Sequence, residues 1–387
     1  MKKIYAALLL LCLTVLSLTK AEAKEQLTVN WSPNVYAVTG DATALRWLDS
    51  GAREKIASAI TRKLHALQAE GKLPFALRES NGDYSLQQKE LGPVLGLVPA
   101  VLLGRSVDTA YQLENGESYY RSVIMSGLSF FLCSVDEDYD AAGRPTASYR
   151  VLGMLPLYSY DTIGGDLNNL RTTPLSDAEK AACYTQATVA TIEKYLDFAS
   201  QKNIVRNLNS KQMFSDDLYQ VSEVNISANL IHELFGSNED SLASAIGYFY
   251  TGAYQQTTKR LMLPPLAGHS GIHDDIVDNL YSLSLDSPGS RINMTMPKAK
   301  NSIRLNLTGA ACGEINPPQR APQTRYIGYQ LWLAQSPAPK PELMKQTQKD
   351  FRVFPLSGDT SVITRDDKDV FSGMAIELAL KMGTQKG

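Results

Sequence analysis

The run from Tyr120 to Val135 constrains the fold more than any other segment. It is long, apolar and rich in Val, Phe and Leu, and a polar stretch from Asp136 to Ala147 follows it, with Gly143 and Pro145 inside. Ser148 to Tyr160 then alternates, with Tyr149, Val151 and Leu155 on one side and Arg150 on the other. Successive strand residues face opposite ways, so this pattern predicts a long antiparallel hairpin over 120–160 with an acidic tip. The chain has 387 residues, 44% hydrophobic and 20% charged, which is ample material to bury around such a hairpin. That balance excludes a disordered chain, and four Cys exclude a disulfide scaffold. At ~100–200 residues per domain the length fits about two domains.

Other elements are legible around the hairpin. Val35 to Val38 reads as a short strand closed by Thr39-Gly40-Asp41. Ile56, Ile60, Leu64 and Leu67 form one apolar stripe of a helix that Gly71 stops. Leu73 to Leu77 resumes as extended chain, so strand, helix and strand follow in the order of a βαβ unit. Ser176 with Glu179 makes a capping box for a helix reaching Lys202. Glu239 to Arg260 suits a helix halted by Pro264-Pro265, and Asp274 to Leu283 reads as a short helix.

Three later stretches place apolar residues at period two and read as half-buried strands. They are Ile303, Leu305 and Leu307; Tyr329, Leu331 and Leu333; and Ile376, Leu378, Leu380 and Met382. Proline-rich connectors over 316–322 and 336–341 flank the middle one. The expected fold class is α+β, with mixed or antiparallel sheets and packed amphipathic helices. Two domains are expected, over 24–205 and 206–387.

The first 23 residues read as an export signal. Lys2 and Lys3 precede an apolar run from Ile4 to Leu18, and Ala21-Glu22-Ala23 offers small residues for cleavage before Lys24. An uncleaved anchor is the rival reading, but the run is shorter than the ~20 residues a bilayer span needs. Cys12 lies inside the run and is not at a lipidation position. No later stretch can cross a membrane as a helix, because the most apolar candidate, Leu91 to Leu103, is short and carries Pro93 and Pro99. The Lys-led start points to a bacterial periplasmic or secreted protein.

A net charge of −2 argues against bulk electrostatic binding to nucleic acid, and Lys298, Lys300 and Arg304 are too few for a footprint. Cys133, Cys183 and Cys312 remain after cleavage. They show no zinc spacing, and either one disulfide with a leftover thiol or three unpaired thiols fits.

The first-half layout resembles the periplasmic domain of the curli-secretion lipoprotein family. The residues that carry the resemblance are Val35 to Val38, Ile56 to Leu67, Leu73 to Arg78, Val101 to Arg105 and Val123 to Asp138. It covers about the first 160 residues. The chain departs from that family in having no lipidated cysteine after its signal. The resemblance implies a cell-envelope protein and no catalytic residues.

The sharpest chemical cluster is Gly268-His269-Ser270-Gly271-Ile272-His273-Asp274-Asp275, which holds two of the four histidines. Imidazole and carboxylate suit a divalent metal, and residues four apart can share a helix face. His269, His273 and Asp274 would be ligands, His232 a third imidazole, and Asp275 or Glu233 a general base for metal-bound water. The plain reading is a glycine loop in which Asp274 caps the following helix.

Other motifs are incomplete. Ser270 lacks the G-x-S-x-G elbow, and His232-Glu233 lacks the second His of a zincin. No phosphate-binding glycine loop is present. Asp136, Glu137, Asp138 and Asp140 offer oxygen to calcium, but Ala141 and Ala147 stand where that loop needs Gly and Glu. The leading expectation is therefore a non-catalytic envelope protein without a cofactor. It would act through contact with envelope or surface proteins, or through self-association. The alternative is an exported metal-dependent hydrolase.

Overall fold

A computed structural model describes residues 28–39, 42–79, 94–112, 117–139, 145–163, 171–201, 218–236, 239–266, 272–275, 280–288, 290–315, 325–337, 346–356 and 367–384. In chain order the elements are β1 (Thr28–Trp31), β2 (Tyr36–Val38), α1 (Ala42–Trp47), α2 (Ser50–Ala69), β3 (Ala76–Glu79), β4 (Val94–Gln112), β5 (Ser118–Tyr139), β6 (Pro145–Ile163) and α3 (Asp177–Gln201). They continue with β7 (Tyr219–Ile226), α4 (Asn229–Phe235), α5 (Glu239–Thr258), β8 (Ile272–Asp275), β9 (Leu280–Ser287), β10 (Ser290–Pro297), β11 (Asn301–Ile315), β12 (Arg325–Pro337), β13 (Gln346–Leu356) and α6 (Asp367–Thr384).

Helices and strands are mixed in one body. A first sheet of nine strands runs β2-β9-β10-β6-β5-β4-β1-β3, with β8 on β9. The added pairing of β2 with β4 closes six of these strands into a barrel. A second sheet runs β13-β12-β11-β7. Strands on both sides of residue 206 share the first sheet, because β8, β9 and β10 join the barrel.

The long hairpin is present, and its strands reach further than the polar loop suggested. β5 and β6 pair from Ser122↔Ile163 to Tyr139↔Pro145. Asp136 to Tyr139 thus belong to a strand, because backbone hydrogen bonding continues where side chains turn polar. Alternation along β5 serves two cores. Val123, Met125, Phe131 and Cys133 face the barrel interior and the second sheet, while Ile124, Leu128, Phe130 and Leu132 face α2 and α3.

α2 forms as its stripe predicts. Asp49 caps it by accepting from the Ala52 N–H at 2.7 Å, Ile56, Ile60, Leu64 and Leu67 are buried, and Gly71 at φ 66 ends it. The parallel partner of β3 is β1, not the Val35–Val38 strand: Thr28↔Ala76 to Trp31↔Glu79 are in register. Val35–Val38 contributes β2, which joins β4 and β9. The capping box also forms, with the Ser176 N–H donating to Glu179 Oε2 at 2.8 Å and the Glu179 N–H to Ser176 Oγ at 3.3 Å.

Two expected elements are corrected. Ile376 to Met382 is helix α6 rather than a strand. Val370, Phe371, Met374, Ala375, Ile376, Leu378, Ala379 and Met382 are all buried, so an apolar residue stands at nearly every phase. The stretch Asp274 to Leu283 is not a helix either, since β8 and β9 pair antiparallel from Ile272↔Leu283 to Asp275↔Leu280. Leu283 and Leu285 of β9 are fully buried at period two, which is strand patterning.

α5 lies between the barrel and the second sheet and is buried from Leu242 to Gln255. Its glycines allow close approach. A Cβ on Gly247 would stand 3.0 Å from Pro265, and one on Gly252 would stand 2.6 Å from the Tyr158 ring. α6 packs against α5, where Gly383 meets the Tyr250 carbonyl.

Candidate functional site

The proposed metal ligands do not assemble among the described residues. His269 and Ser270 lie outside them. His273, Asp274 and Asp275 stand on β8, so Asp274 caps no helix and helical spacing does not relate His273 to His269. His232 and Glu233 are exposed on α4, where His232 Nδ1 pairs with Glu239 Oε1 at 2.6 Å. α4 packs against β11, α5 and α6, whereas β8 packs against β9. Among the described residues, no group of three His, Cys, Asp or Glu could hold a metal ion. Of the acidic cluster, Asp136, Glu137 and Asp138 fall on β5 and Asp140 lies outside the described residues.

The three cysteines are all free thiols. Cys133 is buried in the barrel and donates to Met294 Sδ at 3.5 Å, and burial pushes its thiol pKa up. Cys312 lies 3.9 Å from Asp367 Oδ2, and partial burial with that carboxylate raises its pKa too. Neither environment favours a thiolate. His65, read as a surface residue, is half-exposed and pairs with Glu79 at 3.2 Å.

The feature that stands apart is the far end of the β5–β6 hairpin. β4 accompanies β5 only as far as Val94↔Val135. β10 touches β6 only at Met294↔Tyr149 and Thr295↔Arg150. Beyond these partners β5 and β6 pair with each other alone through Asp136↔Ser148, Glu137↔Ala147, Asp138↔Thr146 and Tyr139↔Pro145. Among the described residues no third strand flanks this arm.

Its root is firm. Val135, Tyr149, Val151 and Cys133 are buried in the same cluster as Met294 and Tyr36, and burial raises the Tyr149 hydroxyl pKa. Asp136, one residue past Val135, is exposed. The core therefore ends within one residue step, and a two-stranded ribbon with polar sequence begins. Sequence reading found the hairpin but not this root, which depends on where β4 and β10 stop.

The opposite end of the sheet is tied down. There the strands β4 and β5 continue as a pair from Asp108↔Ser122 to Gln112↔Ser118. Asp108 accepts from Ser122 Oγ at 2.7 Å and from Lys180 Nζ at 2.5 Å, and the Tyr120 N–H donates to the Arg171 carbonyl at 2.8 Å. These bonds fasten that end to the start of α3.

No protein-family model and no curated protein matches this chain. Among solved structures it is similar to one from Helicobacter pylori that carries the description neuraminyllactose-binding hemagglutinin homolog. The identity is 12%, the TM-score 0.26, and the match covers 49% of this chain and 86% of that one. A superposition that loose supports no argument about function.

Proposed function

We propose that the protein is an exported bacterial cell-envelope component that acts by protein–protein contact, with the β5–β6 arm as its contact element. The observation that carries this reading is the arm itself, four residue pairs long beyond its last flanking strands and rooted in a packed core. A two-stranded ribbon is at best marginally stable alone. Its unflanked edges present N–H and C=O groups that can pair with another chain. The partner would be an envelope or surface protein, or a second copy of this chain.

The leader over residues 1–23 supports export, and the resemblance of the first-half layout to the curli-secretion lipoprotein family supports the envelope. We read the architecture as α+β in two domains. Among the described residues no helix is long and apolar enough to cross a membrane.

The reading is tested by joining Val135 to Tyr149 through an Asn-Gly turn, which removes the arm and keeps its root. Circular dichroism and thermal unfolding should be close to those of the full chain. Loss of the complexes seen by affinity capture from crosslinked envelopes, or of self-association in sedimentation velocity, supports the reading. Unchanged complexes in a folded arm-less protein contradict it.

A further inference from the structure

A cavity of about 810 Å³ opens beside α2, away from the arm. Its walls are the segment Trp31–Asn34 that follows β1, the α2 residues Glu54 to Arg62, and Glu79 at the end of β3. β1 and β3 are parallel neighbours, so the cavity sits at their carboxyl ends. That is where open parallel sheets leave a crevice, because the chain departs from adjacent strands there.

The walls are held in place. Arg53 Nε donates to the Leu48 carbonyl at 2.7 Å, and its Nη1 donates to the Val35 carbonyl, which ties the segment after β1 to the start of α2. The Trp31 indole N–H donates to Thr61 Oγ1 at 3.1 Å. Two of the charges are matched within the fold, Arg62 by Glu193 and Glu79 by His65.

Two groups are left over. Ser32 is 3% exposed, and its buried hydroxyl has no hydrogen-bond partner among the described residues. A buried hydroxyl without a partner costs about 1–3 kcal/mol, which a ligand atom could recover. Glu54 is exposed on the cavity wall and has no ion-pair partner among the described residues. Ala57 and Pro33 supply apolar surface between polar groups. A carboxylate, a hydroxyl acceptor and a short apolar wall together suit a positively charged donor on an aliphatic stem.

We propose that this cavity binds a primary alkylammonium group, with Glu54 matching its charge and Ser32 Oγ accepting one of its hydrogens. Such a group comes from a free diamine or from a lysine side chain of a peptide. The proposal is independent of the contact role of the arm, and the full arm is kept in its test.

The test is a titration of the ¹⁵N-labelled protein from Lys24 onward, following the Trp31 indole resonance assigned through Trp31→Phe. One arm uses 1,5-diaminopentane and the other a blocked Gly-Lys-Gly peptide. Saturable shifts with either probe, weakened at least tenfold in Glu54→Gln and severalfold in Ser32→Ala, support the site. The probe that binds identifies the source, and binding of both shows that the ammonium alone is recognised. Absence of a saturable shift with both probes overturns the proposal, as does equal affinity in Glu54→Gln. Glu54 is exposed, so its variant folds and keeps the result interpretable.

Discussion

Tyr158 of β6 packs on the bare backbone of Gly252 in α5, where an added Cβ would stand 2.6 Å from ring Cδ2. The other side of the same ring meets Gly127 of β5, at 2.8 Å from a Cβ placed there. One buried tyrosine is thus accommodated by two glycines on different elements, and it stacks near Tyr248 at 4.9 Å between centroids. This is the contact that seats the buried helix against the long strands. Gly252→Ala should therefore destabilise the fold by ~1–3 kcal/mol through overpacking, read as a lower urea midpoint with unchanged slope. An unchanged midpoint would mean that the helix can shift away from the ring.

The start of α3 makes an acid-sensitive contribution. Glu179 is held at about 2, below its ordinary 4.5, first by the Ser176 N–H, then by the Ser176 hydroxyl and Arg171. A depressed carboxyl stabilises the fold above its unfolded pKa and loses that effect as pH falls through its folded value. The loss should fall between pH 4.5 and 2. Thermal midpoints of Glu179→Gln and the parent chain should differ at pH 6 and converge towards pH 2. Parallel curves across that range would contradict the capping box as the cause. Ser176→Ala should cost about 1 kcal/mol at neutral pH.

Lys259, just past α5, takes φ 59, the left-handed region that glycine occupies without a Cβ penalty. Its N–H donates to the Gln255 carbonyl at 2.9 Å and closes the helix end. Lys259→Gly keeps that bond and relieves the strain, so a gain of about 1 kcal/mol in unfolding free energy is expected. A loss of stability in this variant would assign Lys259 a contact that its backbone geometry does not reveal.

The thiols should report their surroundings. Mass spectrometry of the mature protein after alkylation under native conditions should show Cys183 and Cys312 modified and Cys133 protected, because Cys133 is fully buried and the other two are partly exposed. Unfolding should expose the third. An intramolecular disulfide among them would contradict the structure.

Much of this was legible in the sequence, wherever one periodicity dominated. The stripe Ile56, Ile60, Leu64 and Leu67, the box Ser176 with Glu179 and the strands at Leu305 and Leu331 are each local patterns that tertiary packing reinforces. α6 was misread because burial on nearly all sides hides the helical phase. Its period-two subset, Ile376, Leu378, Leu380 and Met382, is embedded in a helix whose Met374, Leu378 and Met382 recur every fourth position. β1 is four residues long, too short to show a period, so its parallel pairing with β3 was invisible. The Asp274-Asp275 pair resembled a helix cap, yet β9 beside it supplies a hydrogen-bonding edge that only the fold reveals. The cavity beside α2 is likewise walled by three segments far apart in the chain, and no local pattern announces it.

The central claim is that the β5–β6 arm makes the protein's contacts. It is tested most directly by placing a photo-crosslinking amino acid at Asp136 in the arm and, as a control, at exposed Lys55 on α2, then irradiating cells that export the protein. The account predicts a discrete crosslinked species from Asp136, to one envelope protein or to a second copy, and no matching species from Lys55. The same crosslinks from both positions, or none from Asp136 in correctly exported protein, would contradict it.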